Sequence, residues 1–260
     1  MALPSLCLVS CCGLMQKASD GVVRPVFQVV ETKAVFRVHG LSDDRKIVAL
    51  TIDDAPSPET GKILDLLAER KATATFFIHG DRIRTAADRE NIRRMLREGH
   101  EVGNHMPEAF PTYKLPPPVF RRQFARNHEI LTALGAKPVR FRPSHGFGNK
   151  DMRRFIVHEA PEQGYRPHFY LASNYCWDIG KHGISPACYG RFTAASAVPG
   201  RITVFHDNQD LPDGKGGFIN QSQRTLQGLP VYLDSLQAQG FSARSLAEVE
   251  SLASTKTANP

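Results

Sequence analysis

Along most of its length this chain alternates short apolar runs of strand length with stretches whose apolar residues recur every three or four positions. The run Ile47 to Ile52 is continuous and strand-like. Ser57 before Pro58 then reads as an N-cap and first position of a helix that sets Ile63, Leu66 and Leu67 on one face. "TATFFIHG" reads as a second strand with a glycine exit, "DRENIRRMLREG" as a helix ending at Gly99, and "HEVGNH" as a third short strand. Phe120, Phe124, Leu131 and Leu134 fall at helical spacing up to Gly135, and "PVRFRPSHG" gives another strand and a loop. A helical stretch around "KDMRRFIVHEA", the strand-like "HFYLASNYCWD" and "RITVFHD", and a helix carrying Leu226, Leu229, Leu233 and Leu236 complete the series. Strands that alternate with helices in this way form a parallel sheet wrapped by helices, and in such folds function collects where strands end and loops begin.

The chain has 260 residues and no Pro/Ser/Gly-rich linker between two comparable halves, which points to one domain over 45–250. Ahead of it, 22–44 reads as an extended lead-in, and 251–260 as a disordered tail. The segment 1–21 opens "MALPSLCLVSCCGLMQ", where Leu8-Val9-Ser10-Cys11 resembles a bacterial lipobox, although no Lys or Arg precedes the apolar run. It reads as an export signal, a lipoprotein-like signal or a disordered tail, and it is too short to span a bilayer. The expectation is an exported or envelope-associated protein. Although the formal charge is +7, Lys and Arg are scattered and interleave with acids, so nucleic acid is not the expected partner. "DGKGG" lacks the spacing and the Ser/Thr of a phosphate loop, which argues against nucleotide binding.

The first strand runs directly into Asp53 and Asp54. Neighbouring carboxylates raise each other's cost of ionisation and add nothing to a core. A divalent cation would account for the pair, since it can take one carboxylate as a ligand and leave its neighbour free to accept a proton from water. The other polar residues at strand ends are His105, Arg142, Asp178, His206 and Asp207. His79, His100, His128, His158, His168 and His182 read as structural histidines.

"TIDDAP", "GHEVGNH", "RFRPSHG" and "ITVFHD", in that order and with "ATFFIHG" between the first two, resemble the motifs of the polysaccharide deacetylases of carbohydrate esterase family four, the NodB-homology domain. The resemblance covers roughly Arg45 to Val249. It implies a distorted, incomplete (β/α) barrel and hydrolysis of N- or O-acetyl groups on a glycan such as chitin or peptidoglycan. By that resemblance Asp53 is the general base, Asp54 and His105 are metal ligands, Arg142 orients the base, and His206 is the general acid. Val204 lines the acetyl pocket, and His145 supplies a backbone N–H to the oxyanion. The cofactor implied is one divalent metal ion, zinc in the first instance, with cobalt, manganese or nickel open.

Two motifs depart from the family pattern. The third metal ligand belongs four residues after His105, where this chain has Ala109. Glu108 is the nearest substitute, reachable if the turn after Pro107 shifts by one residue. In "SNYCWDIG", Trp177 is a candidate sugar-stacking residue, and Asp178 could brace Arg142 or supply a ligand. Two functions of different class therefore stand open: an active metal-dependent deacetylase acting on an acetylated polysaccharide, and a carbohydrate-binding pseudoenzyme that kept the barrel without a complete metal site.

Overall fold

A computed structural model of the protein describes residues 34–175, 185–208, 211–212 and 216–255. Its centre is a parallel sheet. In chain order the strands are β1 (Ala34–Val35), β2 (Ile47–Ala55), β3 (Thr75–Ile78), β4 (Glu101–Asn104), β5 (Phe169–Tyr170), β6 (Asn174–Tyr175), β7 (Ile202–His206), β8 (Leu211–Pro212), β9 (Phe218–Ile219) and β10 (Ser242–Arg244). The helices are α1 (Thr60–Glu69), α2 (Ala86–Arg97), α3 (Pro117–Thr132), α4 (Lys150–His158), α5 (Pro186–Ala195), α6 (Gln221–Ala238) and α7 (Leu246–Ser254). Strands run in the order β4-β3-β2-β7-β6, with β10 against the lower part of β2.

The expected strand at "PVRFRPSHG" does not form. Past β4 the wall is carried by single-residue bridges, Asn104 to Phe141 and Phe141 to Phe169, and β5 pairs with β1. Pro138 and Pro143 flank this segment, and proline supplies no N–H to a ladder. The barrel is distorted and incomplete for this reason. The segment "HFYLASNYCWD" likewise resolves into two short strands, β5 and β6, rather than one.

Alternation along the strands sorts side chains into two layers. Val48, Leu50, Ile52, Phe76, Val102 and Phe205 point outward and pack with Ile63, Leu64, Leu67, Leu229, Tyr232 and Leu233 of the helices. Ala49, Phe77, Tyr170, Ile202 and Val204 point inward and fill the barrel. An aromatic group built from Phe120, Phe124, Phe141, Phe155 and Tyr165 closes the weak side under α3 and α4. Gly103 leaves room for this interior: a Cβ there would lie 2.7 Å from two ring carbons of Phe77.

Helix α1 begins later than Ser57-Pro58 suggests. The Ser57 hydroxyl donates to Asp207 at 2.5 Å, and its backbone N–H donates to Thr60 Oγ1, so residues 57–59 form a turn and the helix starts at Thr60. By contrast α2 opens with a full capping box on Thr85 and Asp88. The last helix continues through Ser254, past the boundary expected at 250.

Candidate active site

Strand register carries the site. In parallel ladders paired residues face the same side, and Thr51 pairs with Val204, Asp53 with both His206 and Phe77, and Phe77 with Gly103. Asp53, Val204 and His206 therefore lie on the inward face near the carboxyl ends of β2 and β7. His79 and His105 each stand two residues beyond an inward position, Phe77 and Gly103, and so continue the same rows.

Two adjacent carboxylates would ordinarily point to opposite faces of a strand. Here the register of β2 against β3 shifts between Asp53 and Ala55, and Asp54 has φ +70°. This bulge turns Asp54 into the site beside Asp53, a left-handed conformation that Asp tolerates better than most residues.

Arg142 holds Asp53. Its Nη1 donates to Asp53 Oδ1 at 2.5 Å and to Thr51 Oγ1 at 2.8 Å, its Nε donates to the Tyr170 carbonyl at 2.6 Å, and its guanidinium lies over the Phe77 ring. The Asp53 carboxylate is thus fixed in place by a buried cation with few other orientations.

Asp54 faces two imidazoles. His79 Nε2 lies 3.0 Å and His105 Nε2 3.4 Å from Asp54 Oδ1, and ligand atoms of the three residues all fall within 4.8 Å of one another. Asn208 Nδ2 approaches Asp54 Oδ2 at 3.3 Å, and Arg82 joins Asn208 Oδ1 to the Asp54 carbonyl. Burial pushes the Asp54 carboxyl up, but the hydrogen bonds that the His105 and His79 rings give it when protonated at Nε2 outweigh this and hold the group well below the usual carboxylate range. Burial pushes the His79 imidazole down, against the pull of Asp54.

The tautomers follow from the other ring nitrogens. His79 Nδ1 lies 3.1 Å from the Met106 carbonyl and His105 Nδ1 2.8 Å from the Arg142 carbonyl. A carbonyl only accepts, so both Nδ1 atoms carry hydrogen and, in the neutral rings, both Nε2 atoms present lone pairs. Two lone pairs and a carboxylate converge on one point. That arrangement is repulsive by itself and suits a cation, and the donor set fits a divalent metal of the zinc type.

Glu108, expected as the substitute ligand, is exposed and stands outside this group. Met106 takes φ +72° just before Pro107, and the turn carries residues 108–110 to the surface. His79, read from sequence as structural, stands instead with Asp54 and His105. Its signal was present: it follows the inward Phe77 by two residues at the end of a strand. His145 is exposed with φ +65°, and partial desolvation pushes its imidazole down. Trp177 and Asp178 lie outside the described residues, as does His182.

Asp207 was expected among the polar residues of the site but faces away from it. Its carboxylate accepts from Ser57 and Thr60, clamping the start of α1 to the end of β7, and burial pushes it up.

These observations define a parallel-stranded, incomplete barrel with an Asp/His/His cluster at its mouth. The family model described as polysaccharide deacetylase matches residues 40–166. A chitooligosaccharide deacetylase of Rhizobium leguminosarum bv. trifolii is 32% identical over 212 residues, covering 80% of this chain and 93% of that protein. The chain belongs to the polysaccharide deacetylase family. A peptidoglycan-N-acetylglucosamine deacetylase of Bacillus cereus is 27% identical, covering 80% of this chain and 89% of its own length. Among solved structures, a pseudoenzyme of carbohydrate esterase family four from Bacillus anthracis shares the fold, with TM-score 0.67 at 20% identity over 84% of this chain and 69% of that one.

Proposed function

We propose that this protein is a metal-dependent hydrolase that removes acetyl groups from an acetylated glycan of the chitooligosaccharide or peptidoglycan kind. The observation that carries the reading is the convergence of bare imidazole nitrogens on Asp54, beside an Asp53 locked by Arg142. Asp54 and His105 would hold the cation, and an imidazole nitrogen beside a carboxylate favours zinc over manganese. When bound, such a cation polarises the acetyl carbonyl and acidifies water to a pKa of about 7.

The chain's own residues then divide the proton work. Asp53, held at one oxygen by Arg142, keeps its second oxygen toward the site to accept a proton from the attacking water. His206, in register with Asp53 on the neighbouring strand, donates to the leaving amine or alkoxide. Val204 lies beneath as the apolar floor for the acetyl methyl, and the backbone N–H at His145 serves the developing oxyanion. Relatives that act on cell-wall glycan support an exported or envelope location.

Acetate release from acetylated chitin oligomers, peptidoglycan fragments and xylan, with added zinc or cobalt, tests the reading. Turnover on any of them, lost in Asp53→Asn, is the expected result, and background rates throughout would reject it. A second reading, a glycan-binding protein without turnover, rests on Ala109, where the family pattern calls for a ligand. It requires sugar binding by a chain that releases no acetate.

A further inference from the structure

We propose that His79, from the end of β3, is the third ligand of this site in place of the residue missing at Ala109, and that the Met106–Pro107 turn positions it. This rests on the metal-dependent reading above and names the ligand that the sequence leaves open.

Loss and gain trace to one backbone conformation. Met106 occupies left-handed space, rarely adopted by L side chains other than Asn and Asp, and it does so next to a proline. The turn is held on three sides. The Met106 N–H donates to Asn104 Oδ1 at 2.9 Å, the Pro107 carbonyl accepts from the Asp81 N–H at 3.0 Å, and the Met106 side chain is buried in the aromatic group under α3. With the chain so turned, Glu108 and Ala109 face solvent and neither belongs to the group around Asp54. The same turn aims the Met106 carbonyl at His79 Nδ1, which fixes the ring with Nε2 toward Asp54. A loop that followed the family spacing would deliver its own ligand and would not need this carbonyl.

A ring this buried could instead be a structural histidine, bonded to Met106 on one side and to Asp54 on the other. The two roles separate on the atom each needs. Asparagine at 79 places an amide N–H near the position of Nδ1 and so keeps the bond to Met106, but offers nothing at the position of Nε2. Glutamine reaches the Nε2 position with a poor ligand.

The experiment is cobalt and zinc titration of the metal-stripped full chain, read by elemental analysis and by the visible absorption of bound cobalt. Wild type is expected to bind close to one ion. Affinity is expected to fall by about 100-fold or more in His79→Asn, less in His79→Gln, and not at all in Glu108→Ala. Met106→Leu should bind like wild type, while the β-branched Met106→Val, strained in left-handed space, should lose about 10-fold. Matching thermal melts of metal-free wild type and His79→Asn certify the fold, and His79→Gln serves if asparagine does not fold. Wild-type affinity in both folded His79 variants, or loss in Glu108→Ala, overturns the assignment while leaving metal-dependent hydrolysis intact. Equal binding by Met106→Leu and Met106→Val overturns the role of the turn. A wild type that binds no ion overturns both readings, whereas binding that depends on His79 without acetate release sustains this one and sinks the hydrolase.

Discussion

Arg140 and Arg142 lie two residues apart on the same short segment, both 3% exposed, each with its guanidinium over an aromatic ring, yet they serve opposite ends of the barrel. At the amino ends of the strands, Arg140 pairs with Glu101 and Glu250. There each carboxylate oxygen meets a donor: Thr75 and the Ala247 N–H complete Glu101, and the Tyr170 hydroxyl completes Glu250. At the carboxyl ends Arg142 satisfies Asp53, but Asp54 beside it faces two imidazole nitrogens whose hydrogens are on the other side of the ring. A network in which every carboxylate acceptor meets a donor is architecture. A network whose acceptors point at one another is completed by a proton or a metal ion, and this contrast sets a fully paired cluster apart from one open to a ligand even though the residue types are alike.

The largest effect should come from breaking the working end without emptying it. Asp53→Asn keeps the shape and the contact with Arg142 but removes the base, so acetate release should fall by about 10³-fold. Metal content by elemental analysis should stay at the wild-type level, since Asp53 is 3.9 Å from the His105 Nε2 and is not in the ligand group. A variant that lost its metal together with its activity would show that Asp53 is a ligand and erase the division between the two aspartates.

Arg140→Ala tests the closed end. It strands Glu101 and Glu250 without their shared cation, and breaking a buried pair in this way costs about 3–5 kcal/mol. Burial pushes Glu101 up, with Arg140 pulling the other way, so removing the arginine leaves burial unopposed by its main partner. The deficit should shrink as pH falls through the carboxylate range, because protonation removes the stranded charge. Denaturant unfolding at several pH values measures this. Activity per folded molecule should be unchanged, and a loss of turnover would mean that the two ends communicate.

His100 offers the same comparison for histidines. It accepts the Ala74 N–H at Nδ1, sits buried at the closed end, and has burial pushing it down to about 4 against the charges of Glu98 and Glu248. The unfolded chain takes up a proton below about 6.5 and the native one only near 4, so stability falls as pH drops through that window and then levels, by roughly 3 kcal/mol in all. His100→Asn retains an acceptor for Ala74 and should flatten the slope between those limits. An unchanged slope would place the titration elsewhere.

Much of this was legible from residue order. Strand-length runs pointed to β2, β3, β4 and β7, and Asp53 and His206 were legible as polar residues at strand ends, though the row that joins them depends on pairing. His79 escaped because a histidine after "FFI" looks like any buried ring. Only the pairing of Phe77 with Gly103 puts it beside His105, and pairing is a tertiary fact. Glu108 was misplaced for a related reason: "NHMPEA" shows Asn104 two residues before Met106 but not that Asp81 holds the Pro107 carbonyl from across space, and both support the left-handed turn. The bulge at Asp54 was equally hidden, although it answers how neighbouring carboxylates reach one site. Ser57 misled because its hydroxyl bonds to Asp207, 150 residues away.

One residue touches both ends, and it sets the finest test of their independence. The Tyr170 carbonyl accepts from Arg142 Nε at the site, while its hydroxyl donates to Glu250 at the closed end. Burial pushes the phenol up, so it remains a donor at every working pH. Tyr170→Phe deletes only the oxygen, leaving the ring under Arg140 and the carbonyl on Arg142. It should cost about 1 kcal/mol of stability, the net worth of one hydrogen bond to a charged group partly offset by Arg140, and leave acetate release and metal affinity as they were. A change in either would mean that strain at the closed end passes along this backbone into the orientation of Arg142, and through it to Asp53.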